Sequence, residues 1–123
     1  MQKCILIYDD DLEILTVCKV ILDNENYRVE TIANCENIID DISTVKPDII
    51  LMDLWIPKIG GENAIKLMHE HEEIKNIPVI LFSANDEIEK VSKRINANGF
   101  LKKPFDILEL KETIESQINP IRC

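Results

Sequence analysis

Basic residues are in short supply in this chain. It carries 14 Lys and Arg against 23 Asp and Glu, which gives a formal net charge of −9. A surface with that much negative charge repels phosphate backbones and anionic lipid headgroups. We therefore expect the protein to bind neither nucleic acid directly nor the surface of a membrane.

The sequence also lacks any apolar run long enough to cross a bilayer. Its longest runs, such as residues 49–52 and 79–82, are far shorter than the ~20 residues that a spanning helix needs. Near the amino terminus, Asp9 comes too early to leave room for the apolar core of a secretory signal peptide. We expect neither a transmembrane segment nor a signal peptide.

The four cysteines form no C-x-x-C pair and do not have the spacing of a metal site. Cys4 and Cys18 lie within apolar patterns, which favours small buried thiols. A chain of 123 residues buries enough surface to fold without a disulfide or a structural metal. Free thiols are expected in a reducing compartment, and the cytoplasm is the compartment predicted here.

Five short apolar runs rich in β-branched residues are present, and they predict five β-strands. They cover residues 3–8, 28–32, 48–52, 78–82 and 99–102. The segments between them have helical periodicity, with the second and third helices predicted at about residues 35–45 and 62–73. Strict alternation of strand and helix predicts an α/β fold with a parallel sheet, right-handed crossovers and helices on both faces.

Two acidic pairs indicate where the first and last helices begin. Asp10 with Glu13, and Asp106 with Glu109, have the spacing of a capping box. The apolar face predicted for the first helix comprises six residues: Ile14, Leu15, Val17, Cys18, Ile21 and Leu22. We expect this face to pack on the sheet.

Ligands of open parallel sheets bind outside the carboxyl ends of the strands. Polar or charged side chains follow four of the predicted strands: Asp9, Asp10 and Asp11 the first, Asp53 the third, Ser83 the fourth and Lys103 the fifth. Clustered carboxylates repel one another unless a cation lies between them, and Mg²⁺ suits such oxygen ligands. Beside that ion an ionised Asp is a competent nucleophile towards a phosphoryl group, whose charge a lysine and a hydroxyl can meet. The set predicts phosphoryl transfer onto the protein itself.

These residues resemble the receiver domain of the two-component response regulators, over essentially the whole chain. The matching stretches are ILIYDDD at 5–11, ILMDLWIPKIGG at 50–61, VILFSA at 79–84 and GFLKKPF at 99–105. The resemblance implies a flavodoxin-like (βα)5 fold, a doubly wound parallel five-stranded sheet with strand order 2-1-3-4-5. It also implies a single receiver domain over residues 1–123, without an output domain in this chain.

The resemblance further implies that Asp53 is the phosphoacceptor and that the site uses Mg²⁺ or Mn²⁺. Four groups would hold the metal: the carboxylates of Asp9, Asp10 and Asp53 and the backbone carbonyl of Trp55. Pro57 and Gly61 match the loop that follows the acceptor.

Other positions would serve the phosphoryl group and the switch that follows it. By resemblance, Ser83 and Lys103 bind the phosphoryl oxygens, and Phe100 is the switch aromatic. Trp55 and Asn85 occupy rim positions that the family ties to the rate of dephosphorylation. Phe100 departs from the tyrosine often found there, so its inward form would be stabilised by packing alone.

The function implied is a phosphorylation-dependent signalling switch and not a metabolic enzyme. Asp53 would accept a phosphoryl group from a phosphohistidine of a histidine kinase or a histidine phosphotransfer domain. The chain would catalyse this step and a slow hydrolysis. Phosphorylation would shift the face made by the fourth helix, fifth strand and fifth helix, where a downstream target, an output domain or a second copy in a homodimer would bind.

Three alternatives fit parts of the pattern. A small phosphohydrolase of the haloacid-dehalogenase type would use Asp9 as its nucleophile, since Asp9-x-Asp11 matches its D-x-D motif, but Asp53 would then have no role. A flavodoxin-like cofactor binder would set three acids against the phosphate of its cofactor. A degenerate receiver acting only as a binding module would not need the complete set of chemical residues.

Overall fold

A computed structural model describes residues 2–56 and 60–118. Strands and helices alternate in the order β1 Cys4–Tyr8, α1 Leu12–Asp23, β2 Arg28–Ile32, α2 Ile38–Val45, β3 Ile49–Asp53, α3 Gly61–His69, β4 Val79–Ser83, α4 Ile88–Arg94, β5 Gly99–Lys102 and α5 Ile107–Ile118. The strands form one parallel sheet in the order β2-β1-β3-β4-β5. The predicted fold class and strand order are therefore confirmed.

The three central strands are apolar except at the last residues of β3 and β4, because helices cover both faces of the sheet. Every residue of β1, β3 and β4 is buried. Side chains alternate between the faces, so Leu6 and Met52 pack on the face of α2, α3 and α4, and Ile7 and Leu51 pack on the face of α1 and α5. Two apolar clusters therefore hold the sheet rigid between two layers of helices.

The predicted strand limits were correct to within one residue, and the difference bears on the site. Both β3 and β4 lie one residue further along the chain than predicted, so Asp53 and Ser83 are the last residues of their strands. Sheet hydrogen bonds continue past them, because the N–H of Leu54 donates to the carbonyl of Phe82 at 3.4 Å and that of Lys103 donates to the carbonyl of Ser83 at 2.8 Å. The sheet therefore fixes the backbone of both residues.

The first helix begins one residue later than the predicted capping box implies. Asp11, and not Asp10, is the N-cap, with its Oδ1 accepting from the N–H groups of Glu13 at 3.0 Å and Ile14 at 3.4 Å. The prediction for Asp10 was wrong because its carboxylate joins an acidic cluster instead. At the other end of the chain, the carboxylate of Asp106 accepts from the N–H of Glu109 at 2.7 Å, as predicted.

The apolar face of α1 is narrower than predicted. Leu15, Cys18 and Leu22 are buried against the sheet, whereas Val17 is 55% exposed. The buried residues follow a spacing of three and four, which points Val17 away from the sheet. Helices α2 and α3 are also shorter than predicted. Helix α2 begins at Ile38 because residues 36–37 form a turn, and α3 ends at His69 because residues 71–77 form hydrogen-bonded turns.

The thiols of Cys4, Cys18 and Cys35 are free and buried, as expected for the first two. Cys123 lies outside the described residues, and so does Pro57. In the part of the chain that the structure describes, no helix combines the length and apolarity needed to cross a membrane.

Candidate functional site

The carboxyl ends of β1 and β3 bring three carboxylates together. One oxygen each from Asp9, Asp10 and Asp53 lies within 4.8 Å of the other two. Asp9 is fully buried and Asp53 is 5% exposed, whereas Asp10 faces solvent. Hard oxygen ligands at this spacing, with one open side, suit a divalent cation such as Mg²⁺ that keeps some of its waters.

Lys103 lies against this acidic cluster. Its Nζ is 2.8 Å from Oδ2 of Asp9 and 3.6 Å from Oδ1 of Asp53, and it stands 4.8 Å from the centre of the Phe82 ring. Burial alone would lower the pKa of Lys103, but the hydrogen bond to Asp9 and the charges of Asp53 and Asp9 outweigh burial and raise it. The ammonium is therefore held in its charged form beside Asp53. Lys102 does not reach the cluster and forms an ion pair with Asp86 instead.

The carboxylate of Asp53 is in an environment that resists its ionisation. Burial, followed by the charge of Asp9, raises its pKa to about 6. Lys103 and the backbone N–H of Trp55, which donates to the carboxylate, act in the opposite direction. A divalent cation bound beside Asp53 would add to their effect and favour the ionised, nucleophilic form.

The raised pKa of Asp53 predicts an unusual pH dependence of stability in metal-free protein. Because the folded state holds this proton more tightly than the unfolded chain, Asp53 contributes stability that grows as the pH falls through about 6. Between pH 7.5 and pH 5 its contribution to the free energy of unfolding is expected to rise by about 1 kcal/mol.

Chemical denaturation of wild-type protein and Asp53→Asn in the presence of a chelator measures this contribution as the difference between the two pH profiles. The variant should lack the rise, and Mg²⁺ should suppress it in wild-type protein. Parallel profiles for the two proteins would contradict the assigned environment of Asp53.

Ser83 lies fully buried at the end of β4, beside the strand that carries Asp53. Its Oγ accepts the backbone N–H of Asn85 at 3.1 Å, and the side-chain oxygen of Asn85 accepts the N–H of Glu87 at 2.8 Å. These two bonds shape residues 84–87, which we call the β4–α4 loop. The hydroxyl of Ser83 is therefore linked directly to the conformation of this loop.

Gly61 packs directly against the backbone of Asp53. It is the first residue of α3, and a Cβ atom on it would lie 2.3 Å from the carbonyl oxygen of Asp53. Its N–H donates to the carbonyl of Leu54 at 3.2 Å. Only glycine allows this approach, which holds the start of α3 against the strand end that carries Asp53.

Trp55, Asn85 and Phe100 lie around the edge of the site. Trp55 is 67% exposed, and with Asn85 it lines an open groove of about 740 Å³. Phe100 is 39% exposed on the edge strand β5, in register with Leu81. The aromatic ring of Phe100 is thus turned partly outward.

Sequence patterns did not indicate several of the contacts that shape the site. The ring of Phe82 beneath Lys103 has the sequence pattern of a core residue only. The N–H of Asp11 donates to Oδ1 of Asp9 at 2.9 Å, which fixes the buried carboxylate in place. The ion pair between Asp86 and Lys102 joins two residues that no local sequence pattern connects.

The chain is similar to known proteins over nearly its whole length. The profile of the response regulator receiver domain matches residues 5–115. Sporulation initiation phosphotransferase F of Bacillus subtilis is 31% identical over 120 residues, which cover 96% of this chain and 95% of that protein. Sensory transduction protein BceR of Halalkalibacterium halodurans is 29% identical over 111 residues, covering 87% of this chain.

Among solved structures, a receiver domain of a sensor histidine kinase from Pseudomonas aeruginosa superposes with a TM-score of 0.87 and 26% identity. The match covers 96% of this chain and 98% of the Pseudomonas aeruginosa chain, and the latter holds a magnesium ion in its active-site cleft. The chain spans 47% of BceR but almost all of the sporulation protein. With its five-stranded parallel sheet and its matched profile, this chain belongs to the response regulator receiver domain family of two-component systems.

Proposed function

We propose that this receiver takes a phosphoryl group onto Asp53, with Mg²⁺ or Mn²⁺, from a phosphohistidine of a histidine kinase or a histidine phosphotransfer domain. The observation that carries the proposal is the grouping of three carboxylates within 4.8 Å beside the partly buried ammonium of Lys103. Such a set combines a cation site, a nucleophile and a counter-charge for the transferred group.

The residues divide the work of transfer among them. Four groups would hold the metal: the carboxylates of Asp9, Asp10 and Asp53 and the backbone carbonyl of Trp55. The metal would neutralise charge at the phosphoryl oxygens. A carboxylate oxygen of Asp53 attacks phosphorus, so an O–P bond forms as the N–P bond to histidine breaks. Lys103, already 3.6 Å from Asp53, meets the charge of the phosphoryl oxygens.

The phosphoryl group would then act on the β4–α4 loop. It adds about −1.5 to −2 charge and three acceptor oxygens. For Ser83 to turn its hydroxyl towards these oxygens, its Oγ leaves the N–H of Asn85, which now holds it at 3.1 Å. Phe100 would move inward into the space released. The altered face of α4, β5 and α5 would be the surface for a downstream target, an output domain or a second copy in a homodimer.

The chain would act as a switch with a slow autodephosphorylation, whose rate Trp55 and Asn85 would tune from the rim. The dehalogenase-type alternative has less support, because Asp9 is fully buried and its two oxygens accept from Lys103 and from the N–H of Asp11. With a net charge of −9, the receiver itself is expected to contact neither nucleic acid nor membrane. We also expect it to work in the cytoplasm, a reducing compartment in which its free thiols would persist.

The test is an incubation with a small acyl phosphate followed by measurement of intact mass. Wild-type protein with Mg²⁺ should gain one phosphoryl group, and a chelator or the Asp53→Asn substitution should abolish the gain. An adduct that persists in Asp53→Asn would favour Asp9 and the hydrolase alternative. Folded wild-type protein that gains nothing would favour a binding module without phosphorylation.

A further inference from the structure

An ion pair joins the β4–α4 loop to the edge strand β5. Nζ of Lys102 bonds to Oδ1 of Asp86, and both side chains are exposed. The lysine lowers the pKa of Asp86, first through the hydrogen bond and then through its charge. This contact links the loop that follows Ser83 to the strand that carries Phe100.

The pair lies beside both groups that the switch would move. Lys102 is in register with Ser83 across the β4–β5 ladder. Phe100 precedes Lys102 by two residues, so both side chains project from the same face of β5. On the opposite face, Leu101 is buried in the cluster shared with α5. The ion pair therefore joins the β4–α4 loop to β5 through a lysine on the face of the strand that carries Phe100.

We propose that the Asp86–Lys102 pair is an electrostatic restraint that holds the β4–α4 loop in its resting conformation and so limits phosphorylation of Asp53. The inference rests on the proposed function and adds a regulatory element to it. Asn85 and Asp86 are consecutive, so a loop movement that carries the N–H of Asn85 away from Ser83 also displaces Asp86 from Lys102. Reaching the active conformation then includes the cost of separating this pair.

The restraint is small, because both of its charges face water. Exposed ion pairs bias an equilibrium by about fivefold at most, and salt screens them. A bias of that size suits a switch that a phosphoryl group must still be able to move.

The test is a double-mutant cycle on the rate of phosphorylation by a small acyl phosphate with Mg²⁺. It compares wild-type protein, Asp86→Asn, Lys102→Met and the double variant, together with the charge exchange Asp86→Lys with Lys102→Asp. The Glu89–Lys93 pair on α4, whose charged atoms are 3.4 Å apart and exposed, supplies matched controls as Glu89→Gln and Lys93→Met. The cycle cancels the effect that each charge has on the anionic donor.

We expect a coupling between Asp86 and Lys102 of about two- to fivefold in the phosphorylation rate, and we expect it to disappear in 1 M salt. The charge exchange should restore the wild-type rate. The control pair should show no coupling. Additive effects of Asp86→Asn and Lys102→Met, or a coupling that salt does not change, would overturn the restraint. Its failure is distinguishable from failure of the proposed function, because the latter would appear as wild-type protein that gains no phosphoryl group.

Discussion

Replacing Lys103 with methionine is expected to slow phosphorylation of Asp53 by about 100- to 1000-fold, the range for losing one preorganised donor. The ammonium lies 2.8 Å from Asp9 and 3.6 Å from Asp53, so it is in place before the phosphoryl group arrives. Methionine is an unbranched, apolar side chain of similar length that can fill the space over the Phe82 ring, but it removes the charge. The measurement is the initial rate of phosphorylation with a small acyl phosphate and Mg²⁺.

The same substitution leaves two buried carboxylates without their cation. We expect the pKa of Asp53 to rise further, and Mg²⁺ to raise the thermal unfolding temperature more in Lys103→Met than in wild-type protein. Lys93→Met, on the exposed surface of α4, is the control. It should change neither the pKa of Asp53 nor the increase in unfolding temperature that Mg²⁺ causes. A Lys103→Met variant phosphorylated at the wild-type rate would contradict the role assigned to this lysine.

Replacing Asp9 with asparagine is expected to weaken Mg²⁺ binding by at least about 100-fold, because the site loses a charged ligand. Asp9 is fully buried at the base of the carboxylate cluster, and its oxygens are fixed by Lys103 and the N–H of Asp11. Trp55, the single tryptophan of the chain, lies exposed beside Asp53. Its fluorescence provides a titration signal for the metal.

Asp11→Asn is the matched control for this titration. Asp11 lies two residues after Asp9, but its carboxylate caps α1, and asparagine caps a helix about as well as aspartate does. We expect nearly unchanged Mg²⁺ affinity in Asp11→Asn. Equal losses in the two variants would mean that general negative charge, and not the buried cluster, attracts the metal.

Much of the fold could be predicted because its central strands carry an unambiguous signal. Strands covered on both faces are mostly apolar, and the runs that precede Asp53 and Ser83 are apolar throughout. Alternation with helical segments then leaves few topologies. The polar residues that end these runs stand out for the same reason, so the sequence alone indicates Asp9, Asp53 and Ser83 as candidate site residues.

What sequence reasoning missed depends on local competition and on tertiary contacts. Asp10 and Asp11 are both competent caps, and the structure places Asp10 in the carboxylate cluster with Asp9 and Asp53, so that Asp11 caps the helix. Val17 fits the helical period, yet the rotation of α1 on the sheet leaves it exposed. The Asp86–Lys102 pair joins residues sixteen positions apart, and no pattern within either segment indicates it.

The most direct test of the account is to identify the residue that carries the phosphoryl group. Borohydride reduction of phosphorylated wild-type protein converts an aspartyl phosphate to homoserine, which peptide mass spectrometry then locates. We expect homoserine at position 53 alone, and only in samples phosphorylated with Mg²⁺. Homoserine at position 9, or its formation without a divalent cation, would contradict it.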